Sequence, residues 1–323
     1  MYDEPMDGCC QLFYRKKDFD GADICQRRQR ILLLDIGPPG EHTYCEGTCG
    51  AGAAALHGTP GMRMNTMNTE PVRFTNNLGQ RIAGRICRGD IPSRRGVIFC
   101  HGLFSTKDGY KITSLAGDIV AAGYTLLTFD FSFVGESDGK IEDLSVLQEV
   151  KDLECAAAFF LGSGIDELHL VGSSMGGAVS LLYCAGSGVA VKSLTLIATP
   201  LDLRRLLEDN TGIRDMAALP EDGVTSIDGI SIKNGFFREA ARIDLTEAAA
   251  GVEAPALIVH GARDRVVNVT DAYLLAALLK GDRKLVIVSD GDHHLTRPAD
   301  IARLRDELLF HLAQRGPCDL PLG

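Results

Sequence analysis

From about residue 70 onward, short apolar segments alternate with segments of helical periodicity, and this alternation limits the fold more than any other feature of the chain. Six segments have the composition of buried strands, namely RRGVIFCHG, YTLLTFDFS, ELHLVGS, VKSLTLIATP, PALIVHG and KLVIVSDG. One intervening helix places Val146, Val150, Leu153 and Ala157 on a single face. Strands that are apolar on both faces are typical of a mostly parallel sheet covered by helices on both sides. We therefore predict an α/β fold with its active crevice at the carboxyl ends of the strands.

Charge and composition exclude several classes of partner. The chain has 323 residues and a formal net charge of −10, with no long basic run, which argues against nucleic acid and anionic membranes as partners. No stretch approaches the ~18 apolar residues of a membrane span, and the first residues, MYDEPMDGCCQ, lack the apolar segment of a secretory signal. We expect a cytoplasmic protein without a membrane partner. The oligomeric state stays open, and a homodimer is one arrangement that the sequence allows.

Residues 1–68 differ from the rest because they show no sustained period of 2 or 3.6. We predict an irregular or disordered extension. A translation start at one of the methionines of 62–67 and a small independent domain are the alternatives. Cys45 and Cys49 have the spacing of a metal knuckle, but no second knuckle follows, so we expect reduced thiols and no metal.

A five-residue motif lies where one predicted strand meets the next helix. Gly172-Ser173-Ser174-Met175-Gly176 fits the pattern G-x-S-x-G in the strand–turn–helix setting of a nucleophile elbow. In such an elbow the glycines allow strand and helix to cross closely, and the serine hydroxyl projects above the sheet. We predict that Ser174 is a nucleophile. A glycine-rich turn without a catalytic role is the alternative.

A serine nucleophile needs a base, and the base needs an orienting carboxylate. The elbow predicts both downstream, in the order acid then histidine. Asp264 follows the strand PALIVHG, and His293 and His294 follow the strand KLVIVSDG. We predict Asp264 as the acid and His293 as the base, with His294 lining the pocket. Asp202, which follows LTLIATP, is the rival acid.

The oxyanion formed on attack requires fixed hydrogen-bond donors. One should be the backbone N–H of Met175, directly after the nucleophile. The other should come from the loop that follows RRGVIFC, where we predict the N–H of Leu103. His101 begins the same loop but belongs to a different strand end from His293, so we expect it to be structural.

The segment 201–253 is too long for an ordinary connection between a strand and a helix. Asp228-Gly229 lies between two alternating runs and predicts a hairpin. We interpret the segment as a small cap inserted between the core halves 69–200 and 254–316. Within and near it, aromatic side chains are candidates for substrate binding: Phe104, Phe236 and Phe237. For Phe236 and Phe237, packing within the cap's own core is the alternative.

Five segments in order, HGLFSTKDG, FDFSFVGESDGK, GSSMGG, HGARDRVV and DGDHHLTRP, resemble the α/β-hydrolase superfamily. Within it they are similar to capped serine esterases of the cinnamoyl/feruloyl esterase type and to serine-aminopeptidase-like relatives. The resemblance covers about 70–315 and supports the cap. It implies a catalytic triad and two oxyanion donors: Ser174, Asp264 and His293, with Leu103 and Met175. Many relatives have His before the nucleophile, where this chain has Ser173.

These residues predict a serine hydrolase that cleaves short-chain or aryl (hydroxycinnamoyl) carboxylic esters through an acyl-enzyme. The expected partner is a small-molecule ester, and the chemistry requires neither a metal nor an organic cofactor. The same triad would also serve a peptidase, an amidase or a thioesterase. A binding module on a degenerate hydrolase scaffold is the alternative from a different class, and reaction with a fluorophosphonate would separate it from an enzyme.

Overall fold

The computed structural model describes residues 32–33 and 67–314. Within them the strands are β1 (Leu32–Leu33), β2 (Asn68–Thr75), β3 (Arg81–Arg88), β4 (Arg95–Cys100), β5 (Thr125–Phe129), β6 (Glu167–Ser173), β7 (Val191–Ile197), β8 (Val224–Ile227), β9 (Ile230–Lys233), β10 (Ala256–Gly261) and β11 (Arg283–Val288). The helices are α1 (Tyr110–Ala121), α2 (Val146–Gly162), α3 (Met175–Gly186), α4 (Leu203–Thr211), α5 (Asn234–Ala240), α6 (Leu245–Gly251), α7 (Thr270–Leu278) and α8 (Pro298–Ala313).

The main sheet runs in the order β1-β11-β10-β7-β6-β4-β5-β3-β2. All pairs from β1 to β5 in this order are parallel, whereas β3 pairs antiparallel with both β5 and β2. The predicted α/β fold with a mostly parallel sheet is therefore confirmed. Because the parallel strands share one direction, their carboxyl ends meet at a single edge, where the site must lie.

Both faces of the sheet are buried under helices, as the continuous apolar runs require. Along β4, Val97 and Phe99 pack into one core cluster and Ile98 and Cys100 into the other. Helices α1 and α8 cover the first face, and α2, α3, α6 and α7 cover the second. The alternation along this central strand shows why its residues are apolar at every position from Val97 to Cys100.

Between β7 and β10 the chain forms α4, the two-stranded hairpin β8–β9, α5 and α6. The hairpin turns at Asp228 and Gly229, whose φ angles of 51° and 80° are the positive pair that a type I′ turn needs. Helix α6 packs against α3 in the helical layer of the sheet, whereas α4 and the hairpin contribute to the site described below.

Among the described helices, none is long and apolar enough to cross a membrane. Most of the predicted amino-terminal extension at 1–68, with Cys45 and Cys49, lies outside the described residues. The two residues of β1 pair in parallel with β11 at the edge of the sheet.

Candidate active site

Ser174 lies in the sharp turn between β6 and α3, with φ of 54° and ψ of −120°. A side chain at positive φ is strained, and such strain persists only where the surrounding structure enforces it. Here the N–H of Ser174 donates to the carbonyl of Ile197 on the neighbouring strand at 2.8 Å. The turn thereby holds the serine hydroxyl above the carboxyl end of β6.

Two glycines of the motif make this turn sterically possible. A Cβ on Gly172 would lie 2.5 Å from the carbonyl oxygen of Gly176. A Cβ on Gly176 would overlap the carbonyl oxygen of Cys100, on the adjacent strand β4. The G-x-S-x-G spacing therefore reflects backbone-to-backbone contact on both sides of the serine.

His293 connects Ser174 to a carboxylate through both of its ring nitrogens. Its Nε2 lies 3.0 Å from Ser174 Oγ, and its Nδ1 lies 2.8 Å from Asp264 Oδ2. His293 is in the loop that follows β11, and Asp264 is in the turn after β10. In the tautomer whose Nδ1–H group donates a hydrogen bond to Asp264, Nε2 is free to accept the hydroxyl proton of Ser174. The structure thus brings together the three residues predicted as the triad.

Asp264 is fixed by more than its contact with His293. Its Oδ1 accepts from the backbone N–H groups of Val266 and Val267, both at 2.8 Å. His260 Nε2 lies 3.2 Å from Asp264 Oδ2 and 3.1 Å from the carbonyl of Val267. Burial raises the pKa of Asp264, but the hydrogen bonds from His260 and His293 outweigh it and hold that pKa well below its usual value. The acid is therefore ionised throughout the neutral range.

The rival acid Asp202 has a different role. Its side chain accepts the N–H of Arg205 at 2.9 Å and caps the amino terminus of α4. His293, by contrast, is already engaged with Asp264. Sequence reasoning did not single out His260, although it belongs to the quoted segment HGARDRVV.

The two predicted oxyanion donors border the same space as Ser174. Met175 is the first residue of α3, so its N–H has no acceptor within the helix. Leu103 lies in the loop after β4, which passes so close that a Cβ on Gly102 would lie 3.2 Å from Ser174 Cβ. Both residues line the cavity next to the serine.

His101 fixes that loop from the inside. Its Nδ1 lies 2.9 Å from the carbonyl of Gly102, and its Nε2 accepts the N–H of Phe131 at 3.1 Å. Burial lowers the pKa of His101, which keeps the ring neutral, as this pattern of one donor and one acceptor requires. His101 therefore supports the loop that carries Leu103.

A cavity of about 530 Å³ opens above Ser174, a volume within the usual range for small-molecule sites. Its apolar wall comes from the loop after β4, from α4, from the hairpin and from the turn after β10. Among the apolar side chains of this wall are Leu103, Phe104, Leu206, Leu207, Ile227 and Val266. Polar side chains also line it, among them Lys111, Asn210, Asp228, His294 and Thr296.

Two of the four residues predicted to bind substrate line this cavity, and two do not. Phe104 and His294 are at its wall, and the His294 ring lies 5.5 Å from that of His293. Phe236 and Phe237 are absent from the wall, which corrects the prediction for both. They are buried in the hydrophobic core, where their rings pack edge to face at 5.3 Å, so their role is packing.

Lys111 is a cavity residue that the sequence analysis missed. Its Nζ donates to Ser173 Oγ at 2.8 Å, directly beside the nucleophile. Burial lowers the pKa of Lys111 to about 8, against the opposing attraction of Asp264 and Asp292. Lys111 lies in the first turn of an amphipathic helix, so no local pattern distinguishes it from an ordinary surface lysine.

A serine, a histidine and an ionised aspartate in this order, next to two backbone N–H groups, can carry out acyl transfer. Among residues 67–314, no group of three or more His, Cys, Asp or Glu side chains has the arrangement of a metal site.

Comparisons with known proteins agree with the fold. The model of a family described as "Alpha/beta hydrolase family" matches residues 97–316. The human mitochondrial palmitoyl-protein thioesterase ABHD10 is 28% identical over 228 residues, which cover 65% of this chain and 70% of that protein. Monoacylglycerol lipase abhd6-A of Xenopus laevis is 25% identical over 269 residues, which cover 70% of this chain and 78% of that protein.

Two solved structures show the same architecture. Est1E from Butyrivibrio proteoclasticus, with ferulic acid bound, superposes with a TM-score of 0.69 at 18% identity and covers 76% of this chain and 98% of its own. The alpha/beta hydrolase domain-containing protein 10 from mouse gives a TM-score of 0.65 at 22% identity, and the match covers 76% of this chain and 100% of the mouse chain. At these identities the likeness concerns the fold alone.

Proposed function

Because the chain belongs to the alpha/beta hydrolase family, we propose that it is a serine hydrolase that cleaves carboxylic esters through an acyl-enzyme on Ser174. The observation that carries the proposal is the unbroken line of hydrogen-bonding contacts from Ser174 Oγ through His293 to Asp264, at 3.0 Å and 2.8 Å. A serine hydroxyl becomes a competent nucleophile when a positioned base accepts its proton, and these distances are within reach for that transfer.

In the acylation step, Ser174 Oγ attacks the ester carbonyl while His293 Nε2 accepts the hydroxyl proton. The carbonyl oxygen becomes an oxyanion, which the N–H groups of Leu103 and Met175 stabilise. Removing one such donor costs roughly 10²–10³-fold in rate in serine hydrolases. Asp264 stabilises the imidazolium that forms. The tetrahedral intermediate then expels the alcohol, which takes the proton from His293.

In the deacylation step, water attacks the acyl-enzyme while His293 accepts one of its protons. The second tetrahedral intermediate releases the carboxylic acid, and His293 returns the proton to Ser174 Oγ. Each cycle consumes one water and one ester, and the enzyme ends in its starting protonation state. No cofactor takes part in the proposed reaction.

The cavity supports a small ester with an apolar acyl or aryl group. Its wall is largely apolar, and its volume of about 530 Å³ suits a molecule of modest size. We propose that α4 and the hairpin, within 201–253, form a cap over the substrate. We expect this small ester as the partner, rather than nucleic acid or a membrane; the cytoplasmic location and the homodimer stay predictions.

Thioester hydrolysis is the second candidate, because the ABHD10 relatives are named palmitoyl-protein thioesterases and are similar over about two thirds of this chain. The proposed triad would act on either leaving group in the same way. Their name also places those relatives in mitochondria, which concerns their own location.

The test is a substrate panel combined with active-site labelling. The panel holds p-nitrophenyl esters from acetate to dodecanoate, methyl ferulate, an acyl thioester matched to the best ester, and an aminoacyl p-nitroanilide. We expect Ser174→Ala to lower kcat by at least roughly 10³-fold and to abolish labelling by a fluorophosphonate. Ser187→Ala, after the opposite end of α3, is the matched control and should keep both.

Ester turnover or labelling that survives in a folded Ser174→Ala variant would contradict the proposal. A matched thioester that is cleaved faster than the ester would favour the second candidate. Cleavage of the anilide alone would show that the substrate class is wrong while the nucleophile is right.

A further inference from the structure

The cavity above Ser174 contains a cation that the proposed reaction does not use. Among the described residues that line the cavity, Lys111 is the only lysine or arginine. It lies in the first turn of α1 and reaches Ser173, the residue directly before the nucleophile, at 2.8 Å. Its charged end is therefore close to the point where the ester carbonyl must lie.

The hydrogen-bonding capacity of Lys111 is only partly used within the protein. An ammonium has three N–H donors, and one of them is donated to Ser173 Oγ. No carboxylate of the described residues forms an ion pair with Lys111. Two donors of the ammonium are left for solvent or a ligand.

The two carboxylates that attract Lys111 from a distance are committed elsewhere. Asp264 accepts from His293 and from two backbone N–H groups. Asp292 accepts from the N–H groups of His294 and Leu295. Neither carboxylate neutralises Lys111 by direct contact, so the positive charge faces the cavity without a partner of its own.

An ammonium without a carboxylate partner in a largely apolar site is unfavourable, because burial removes its hydration. The hydrogen bond to Ser173 does not by itself require a charge, since a neutral donor could make it. Lys111 nevertheless stays mainly protonated at neutral pH, because its pKa, lowered by burial, is about 8. An anionic group on the ligand would neutralise the charge of the Lys111 ammonium and accept hydrogen bonds from its remaining N–H donors.

Asp228 is the one carboxylate among the described residues that line the cavity, and it would repel such an anion. It is exposed at the tip of the hairpin, where water screens its charge. Lys111 is less exposed, so water screens its attraction for an anion inside the cavity less than it screens this repulsion.

We propose that Lys111 binds a carboxylate of the substrate and gives the enzyme a preference for esters that carry one. The preference rests on the proposed hydrolysis at Ser174 and specifies its substrate class. The carboxylate can belong to the acyl group, as in a monoester of a dicarboxylic acid, or to the alcohol. The remaining wall, with Leu206, Leu207 and Ile227, would contact the apolar part of the same substrate.

Two pairs of substrates test the preference and distinguish the two sources of the carboxylate. The acyl-side pair is mono-p-nitrophenyl adipate and p-nitrophenyl hexanoate, which differ only by a carboxylate in place of a methyl group. The alcohol-side pair is para-carboxyphenyl butyrate and para-carbamoylphenyl butyrate. For each pair we would measure the ratio of kcat/KM for the anionic ester to kcat/KM for the neutral one.

The ratio should fall about 10- to 100-fold in Lys111→Met for at least one pair, the usual effect of a hydrogen bond to a charged group. Because a ratio within one enzyme cancels general effects on the catalytic groups, it isolates the loss of the charge. Lys111→Gln, which keeps a donor for Ser173, should lower the ratio equally. Lys192→Met, an exposed lysine on β7, is the control and should keep the wild-type ratio.

A ratio that stays within about twofold of wild type in both Lys111 variants would overturn the proposal. An equal loss of activity on both members of each pair would also overturn it, because that result assigns Lys111 to the support of Ser173. Binding of adipate to the Ser174→Ala variant, measured by calorimetry, gives a readout without turnover and should weaken when Lys111→Met is added. If Ser174→Ala instead keeps its turnover, the proposed function fails, whatever the ratios are.

Discussion

Asp264 has hydrogen-bonding partners on every side of its carboxylate. One oxygen accepts from two backbone N–H groups, and the other faces His293 and His260. The position of the carboxylate is therefore set by its own turn before His293 contributes anything. A residue held in this way can select one tautomer of the histidine, and the proposed mechanism depends on that selection.

Replacement of the acid tests this dependence. In Asp264→Asn the amide nitrogen can donate to His293 Nδ1, which favours the tautomer with its proton on Nε2, where it blocks proton transfer from Ser174. We expect kcat on the best ester to fall roughly 10³–10⁴-fold with little change in the melting temperature.

The matched control for this replacement is Asp202→Asn. Asn caps a helix as well as Asp does, so α4 should be preserved and the activity should stay near that of wild type. Near-normal activity in Asp264→Asn, together with a large loss in Asp202→Asn, would show that Asp202 is the acid.

At the scale of elements, α2 directs two carboxyl groups into the core. Asp152 is fully satisfied there, because it accepts from Asn76 at 2.8 Å, from the Ser132 N–H at 2.7 Å and from the Ser132 hydroxyl at 2.5 Å. Glu149, one turn earlier, has a buried oxygen without a hydrogen-bond partner. Burial, with the added repulsion of Asp152 and Glu239, raises the pKa of Glu149 well above its ordinary value.

This difference makes the stability contributed by α2 dependent on pH. A group with a raised folded-state pKa contributes its full stability below the unfolded-state pKa, about 4.3 for Glu, and loses it as the pH rises toward the folded-state pKa. In Glu149→Gln this loss cannot occur. The free energy of unfolding of the variant should therefore increase relative to that of wild type as the pH rises, by up to about 1.4 kcal/mol per pH unit.

Urea denaturation of both proteins between about pH 5 and pH 8 measures this gain. The control is Glu154→Gln, because Glu154 is on the same helix but in a solvent-accessible pair with Lys151. Its difference from wild type should change little with pH. If the difference in the free energy of unfolding between Glu149→Gln and wild type also stays constant with pH, the expected loss of stability is contradicted.

At the scale of the whole molecule, the sequence predicted best what depends on strand ends. Ser174, Asp264 and His293 could be predicted to lie close together because each lies at or shortly after the end of a parallel strand, and parallel strands bring their carboxyl ends together. Phe236 and Phe237 were wrongly predicted at the pocket, because spacing within a segment does not show which way a side chain faces. Lys111 was missed because its neighbour Ser173 is distant in sequence, and only the assembled sheet brings them together.

The cavity, like the contact between Lys111 and Ser173, exists only in the folded molecule, because its wall comes from stretches that are far apart along the chain. Leu206 on α4 faces the same space as Ile227 on the hairpin and Phe104 in the loop after β4. A substitution at any one of these three residues should alter the size of the substrate that the cavity accepts and leave the reacting groups in place. The chain-length preference is therefore a property of the assembled molecule.

Leu206→Ala tests this conclusion, because Leu206 lines the cavity and is only partly buried. Removal of its isobutyl group should extend the cavity and move the optimum of the p-nitrophenyl ester series toward longer acyl chains. Each methylene newly buried contributes about 0.8 kcal/mol, so kcat/KM for chains just beyond the wild-type optimum should rise roughly fourfold per added carbon. The profile of Leu147→Ala, an exposed leucine on α2, should match that of wild type.

If Leu206→Ala keeps the wild-type optimum and loses rate equally on every ester, α4 supports the fold of the site without limiting the size of the substrate. A shift confined to Leu206→Ala would instead assign α4 the role of a cap.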